Sequence, residues 1–234
     1  MDTVLFLAYT GIYLVLLAWG LALAVRRRRW WTPVNVPLLV VAGLVYDNAV
    51  LGLGRFIGEG ALLEGLNLPR YWTHALVTPL LVVLAWHVVV RAGVGWARTR
   101  LAVVGAWVAA GALVALEVTH VVGLELEARR EHGVLSYAPV EEAGGPPLMV
   151  LLVSAALLVA GFLVWRRQGW VWLLVGTALM SVGSAVPVPV ESGAVTNLFE
   201  VVLLTSVLAT TAFQDRRERA GRAPERAGQA GGAV

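Results

Sequence analysis

"VNVPLLVVAGLVYDNAVLGLGRFIGEG", residues 34–60, decides how the chain is read. Its first twelve residues are almost wholly apolar. The next fifteen still carry Leu, Ile and Phe but also place Asp47, Asn48, Arg55 and Glu59 among them. An apolar run long enough to cross a bilayer, about 20 residues, has an acid and an amide set into its far end. Ionisable groups at membrane depth are costly, and they usually face a cavity or one another. The stretch therefore points to a membrane-spanning helix with a polar site near one end.

The rest of the chain agrees. It is 59% hydrophobic and 14% charged over 234 residues, where a soluble domain carries nearer a quarter charged residues. Hydropathy marks seven spans, at roughly 3–25, 34–54, 71–91, 101–122, 148–165, 169–187 and 194–213, each near the length a bilayer requires. The expected fold class is all-α: a polytopic membrane protein of seven transmembrane helices. Arginines follow every second span: Arg26 to Arg29, then Arg91, Arg98 and Arg100, then Arg166 and Arg167, then Arg216, Arg217 and Arg219. Basic connections face the cytoplasm, so the N-terminus is expected outside and the C-terminus inside, in a bacterial-type cytoplasmic membrane. No basic region precedes the first span, which reads as an anchor rather than a cleaved signal. Residues 1–213 form the expected helical domain. Residues 214–234, rich in Gly, Ala, Arg and Glu, form an expected disordered tail. Residues 55–69 read as a short helix at the outer surface. The 123–147 loop, with Tyr137 and the Pro146–Pro147 pair, reads as a cap over the outer mouth.

Absences narrow the chemistry. The chain has no cysteine, so disulfide and thiolate chemistry are excluded. All 18 basic residues are arginines, which removes Schiff-base chemistry. No DDxxD-type diphosphate motif, HExxH metal motif or GxSxG elbow occurs, and there is no basic groove for nucleic acid. No cofactor or metal is called for, and no protein partner is evident.

The polar residues of the spans share one layer. Asp47 and Asn48 lie at the outer end of span two and His74 in the first turn of span three. Glu117 and His120 close span four. Ser181 and Ser184 lie in the outer half of span six, Asn197 and Glu200 in that of span seven. Glu117 with His120, and Asn197 with Glu200, are i,i+3 pairs on common helix faces. Past Asp47, a continued helix would bring Arg55 and Glu59 together at i,i+4. Asp47 and Glu200 have no basic residue within a turn. Desolvation disfavours the charged form of a carboxyl, and a buried protonated carboxyl is a poised acid. Arg70 reads as an interfacial anchor. Trp30, Trp31, Trp96, Trp165, Trp170 and Trp172 read as an aromatic belt at the inner face. Tyr9, Tyr13, Tyr46, Phe56, Trp72, Tyr137 and Phe199 lie at the outer level, as a second belt or as a pocket wall whose ring faces stabilise positive charge.

In size, span number and acid placement the region up to Phe213 resembles the integral-membrane terpene cyclases: the bacterial drimentine-type prenyl-indole cyclases and the related fungal meroterpenoid cyclases. The segment "RYWTHALVTPLL", 70–81, is similar in character. In that family one acid near the second span and another in the last are implicated in protonation. The matching positions are Glu59, or Asp47, and Glu200, although fungal members commonly carry aspartate at the last-span position. The resemblance implies an acid-initiated cyclase that protonates an alkene or epoxide of a lipophilic prenylated substrate drawn from the bilayer. Asp47, Glu59 and Glu200 are then the catalytic candidates. Tyr9, Tyr46, Asn48, Arg55, Phe56, Trp72, His74, Glu117, His120, Asn197 and Phe199 are the substrate-binding ones. The alternatives are a heptahelical carrier or binding protein and a metal-free lipid-modifying enzyme using the His and Glu pairs.

Overall fold

The computed structural model describes residues 2–140, 148–185 and 192–231. Pro146 and Pro147 of the expected cap loop lie outside them. Eight α-helices, one β-hairpin and three 3₁₀ turns (Pro33–Asn35, Thr78–Leu80 and Trp96–Arg98) make up the described elements: α1 Asp2–Arg27, α2 Val36–Ile57, α3 Ala61–Val77, α4 Leu81–Arg91, α5 Arg100–Val121, β1 Leu126–Glu131, β2 Val134–Pro139, α6 Leu148–Gln168, α7 Trp172–Ala185 and α8 Val195–Gly231.

Helices α3 and α4 form one rod. Pro79 withholds a backbone donor, and the chain passes through a 3₁₀ turn at Thr78–Leu80 between them. Among the described residues, six helical segments are long and apolar enough to cross a membrane: Asp2–Arg27, Pro33–Ile57, Ala61–Arg91, Arg100–Val121, Leu148–Gln168 and Val195–Gly221. Helix α7, with 14 residues, coincides with the expected sixth span but is shorter than the rest. Three helix ends follow directly from local sequence. Pro37 starts α2 where no intrahelical donor is needed. Thr99 caps α5 by accepting from the Ala102 amide at 3.3 Å. Gly58, at φ +87°, ends α2.

The rods close into a ring in which α1 packs on α2, α2 on α3, α4 on α6, α6 on α7, α7 on α8, and α8 back on α1. Helix α5 lies outside the ring against α3 and α4. The main apolar core fills the half of the ring nearest Arg91 and Gln168, with Leu84, Val88, Leu157, Val164, Leu173 and Val207 interlocked. Gly161 and Gly183 let the last three helices approach closely. A Cβ on Gly161 would fall 2.7 Å from the Leu174 backbone, and one on Gly183 would run into the Phe199 ring. Small residues at helix contacts serve this purpose in membrane bundles.

Three expectations change. The polar stretch 61–69 is no separate surface helix. It forms the first turns of the α3–α4 rod, with Leu63 and Asn67 fully buried and Leu63 packed against Leu135 and Tyr137 of the hairpin. The 123–147 loop holds an antiparallel hairpin with Leu126 opposite Pro139 and Glu131 opposite Val134. Its two-residue turn, His132–Gly133, has both φ angles positive, 49° and 84°, as the tight primed hairpin turns require. Finally, α8 runs straight through the expected boundary at residue 213. Gln214 and Asp215 are buried because they bind groups from α1, α4 and α6.

The hairpin is anchored on three helices. Thr3 Oγ1 donates to the Gly133 carbonyl at 2.8 Å, and the Asp2 amide donates to the His132 carbonyl at 3.3 Å. The Tyr137 hydroxyl accepts from the Gly60 amide at 3.1 Å, and the Tyr71 hydroxyl donates to the Tyr137 carbonyl at 3.0 Å. At Gly54 the Leu135 carbonyl comes so close that no Cβ fits. The hairpin therefore sits over one end of the ring, and the arginine-bearing helix ends gather at the other.

Candidate functional site

Beneath the hairpin the ring encloses a cavity of about 1130 Å³, larger than the ~300–1,000 Å³ usual for small-molecule clefts. Helices α2 to α8 all contribute to its wall. Its mouth carries Glu125, Pro139 and Val140. Val40, Leu44, Leu81, Val150, Val153, Leu157, Leu203 and Leu204 give it an aliphatic lining. Between these lie Asp47, Arg70, His74, Glu117, His120, Asn197 and Glu200. Four carboxyl side chains and a single guanidinium thus share the wall.

Each polar residue arrives by helical spacing. Asp47 stands one turn beyond Gly43 and Leu44 on the inner face of α2. Arg70 and His74 are i,i+4 on α3, Glu117 and His120 are i,i+3 on α5, and Asn197 and Glu200 are i,i+3 on α8. Asp47, His74, Glu117, His120, Asn197 and Glu200, which the sequence puts in one layer, all line this cavity.

Asp47 has a partner in space that its own helix does not supply. Arg70 Nε donates to Asp47 Oδ1 at 2.7 Å, and Arg70 Nη1 donates to Asn67 Oδ1 at 2.6 Å. Asn67 in turn donates to the Leu63 carbonyl at 2.7 Å. The guanidinium is thus held by two side chains and lies 5.7 Å from the Tyr71 ring centroid. Arg70, read from the sequence as a surface anchor, is part of the cavity wall. Arg55 and Arg70 were the two arginines close to the acid layer. The chain turn at Gly58 and the return of α3 alongside α2 decide between them.

Glu200 is held differently. Its carboxyl oxygen Oε2 lies 3.4 Å from the hydroxyl of Tyr13, a fully buried α1 residue. The same hydroxyl lies 3.2 Å from the Asn197 backbone carbonyl. No arginine pairs with Glu200 among the described residues. The Asn197 side-chain oxygen is buried with no hydrogen-bond partner. His74 Nδ1 and Thr78 Oγ1 are 3.3 Å apart, the i,i+4 pair that the sequence spacing implies.

Other candidates stand elsewhere. Glu59 lies beyond the end of α2 and pairs with Arg130 of the hairpin at 3.0 Å, both well exposed. It does not meet Arg55, because Gly58 has already ended the helix. Arg55 instead rests 5.5 Å from the ring of exposed Phe56. Tyr46 donates to the Leu66 carbonyl at 2.8 Å and ties α2 to α3. Asn48 is fully buried and donates to the Leu44 carbonyl at 2.9 Å. Tyr9 packs among apolar residues of α1 and its neighbours, and Phe199 packs against Gly183. Trp72 is half-buried on α3, outside the cavity lining. Trp170 leaves the expected belt: it stacks on Phe213 at 4.5 Å and donates to Thr210 Oγ1 at 3.0 Å.

Chemically, the cavity offers one carboxyl whose side-chain partner is a hydroxyl, a second carboxylate fixed by a guanidinium, and a long aliphatic wall. No protein-family model matches the chain, and no curated protein matches it significantly.

Proposed function

We propose that the protein is a membrane-embedded cyclase of prenyl chains, initiated by proton transfer from Glu200, with its N-terminus outside and C-terminus inside a bacterial-type cytoplasmic membrane. The carrying observation is the pairing of Glu200 with Tyr13 at the wall of an aliphatic cavity. A phenol has one proton to donate, yet Tyr13 faces two acceptors. A chain from Glu200 O–H to Tyr13 Oη, and from Tyr13 O–H to the Asn197 carbonyl, uses each group once and supports a protonated Glu200.

Glu200 gives that proton to a terminal alkene carbon, or to an epoxide oxygen, and a tertiary cation forms. The π electrons of the next alkene make the new C–C bond and move the positive charge along the chain. A final C–H bond gives its proton to a carboxylate, and the product is an isomer of the substrate. The excess of carboxyl groups over cations in the wall favours positive charge throughout. Asp47, held by Arg70, binds the substrate's polar head together with His74 and Glu117. The candidate donors are thereby reduced, since Glu59 stands outside the cavity.

Membranes containing the protein are expected to convert prenylated indoles, farnesyl-type polyenes or their epoxides to products of unchanged mass, and Glu200→Gln to stop the conversion. Transport of a polar solute into liposomes without any such turnover would replace this reading with that of a carrier.

A further inference from the structure

The far end of the ring holds a second, smaller cleft of about 210 Å³. Arg26 and Arg27 line it from the end of α1, Arg29 from just beyond that helix, Arg91 from the end of α4, and Arg219 from α8. Asp215 and Glu218 are its acids. Five arginines against two carboxylates leave three positive charges uncompensated.

The acids are already used. Asp215 accepts from Arg27 Nε at 2.6 Å through one oxygen and from Arg91 Nη2 at 2.7 Å through the other. Glu218 accepts from Arg91 Nε at 2.7 Å. Arg27 also donates to Asn35 Oδ1 at 2.9 Å. Donors remain. Arg91, with 8% of its side chain exposed, keeps Nη1 without a partner; Arg27, with 11% exposed, keeps Nη2; and the Thr32 hydroxyl, also in the cleft wall, is buried and unpaired. Buried donors are ordinarily satisfied. Three unsatisfied ones around a single positively charged cleft call for an acceptor with several oxygens and a negative charge. Guanidinium forks match phosphate geometry.

We infer that this cleft binds a phosphate-bearing anion, with Arg27, Arg91 and Thr32 as the inner donors and Arg26, Arg29 and Arg219 as the outer field. The exposed Trp30 and Trp31 beside it are residues that settle at headgroup level. Basic pockets between helices on the cytoplasmic side recognise anionic lipid headgroups. The shared chemistry is phosphate, from a lipid headgroup or from solution, and it does not depend on what the large cavity does.

The test uses the full chain in phosphatidylcholine nanodiscs. One arm adds phosphatidylglycerol and reads retained lipid by native mass spectrometry. The other adds inorganic phosphate or diphosphate and reads thermal unfolding. The comparison protein is Arg26→Gln/Arg29→Gln/Arg219→Gln, which leaves the Arg27–Asp215–Arg91 bridge intact. The wild type is expected to retain phosphatidylglycerol over phosphatidylcholine, or to be stabilised by the soluble anion. The triple variant should be weaker on the order of 100-fold, at about one kcal/mol per arginine. Retention with no response to soluble phosphate identifies a headgroup site, and the reverse identifies a soluble ligand. Equal retention of both lipids with no phosphate response overturns the inference, as does wild-type binding by the triple variant. Because the readout is binding, its failure is separate from any failure of cyclisation.

Discussion

The two ends of the bundle use the same side chains to opposite effect. At the arginine-rich end, Asp215 is 7% exposed and bridges two guanidinium groups, while Gln214 donates to the Val88 carbonyl and to Gln168 Oε1, both at 3.0 Å. Four helices are locked there, and the core lies directly behind. At the hairpin end, Asp47 meets a single arginine, Glu200 meets only a tyrosine, and the space between them is open. Paired charges close a bundle. Sparsely paired ones around a void leave chemistry free to occur.

That contrast is most sharply tested by Glu200→Gln, which keeps the shape of the side chain and removes the proton that the proposed reaction would transfer. Cyclisation should fall by roughly 100- to 10,000-fold with the unfolding transition little changed, measured by product formation and by thermal melting of the same preparation. A variant that melts early instead would make Glu200 a structural residue and erase the difference between the ends.

Asp215→Asn should show the converse. Removing the acid strands two buried arginines, a change that costs about 3–5 kcal/mol in buried ion pairs. The expected signature is a large drop in melting temperature in detergent, with turnover per folded molecule retained. Wild-type stability would show that the far end is not held by this bridge.

Gly54→Ala tests how the hairpin roofs the cavity. The added methyl meets the Leu135 carbonyl, and overpacking of this kind costs about 1–3 kcal/mol. Faster amide exchange or proteolysis across residues 126–139 is expected, with the helices unaffected. Protection equal to wild type would mean that the hairpin does not rest on α2.

The smallest effect belongs to Glu59→Gln. Its pair with Arg130 is exposed, and exposed ion pairs contribute about 0–1 kcal/mol. Neither activity nor stability should move measurably. A severe loss of turnover would restore Glu59 as the acid and displace Glu200.

Much of the fold is legible in the sequence. Apolar runs of bilayer length are a local property, so the helical character and the positions of α1, α2, α5, α6 and α8 follow from composition alone. The side-chain periodicity of a helix is equally local. It placed Glu117 with His120 and Asn197 with Glu200 on common helix faces, and all four line the cavity. The depth of Asp47, His74, Glu117 and Glu200 also came from counting residues along a helix, and all four face the cavity.

Contacts between distant segments were not legible. The hairpin alternates only weakly, and its His132–Gly133 turn lacks the Asn-Gly or Asp-Gly signal, so its strands are recognisable mainly by what they cover. Arg70 rather than Arg55 reaches Asp47 because Gly58 turns the chain and sends α3 back beside α2. Tyr13 reaches Glu200 across 187 residues of sequence. Gln214 and Asp215 look like the start of a polar tail until Arg27 and Arg91 arrive from other helices. A hydropathy pattern records how each residue interacts with water or lipid. Which charge meets which is decided by how the rods pack, because a carboxyl's partner is set by distance in space, and only the closed ring defines that distance.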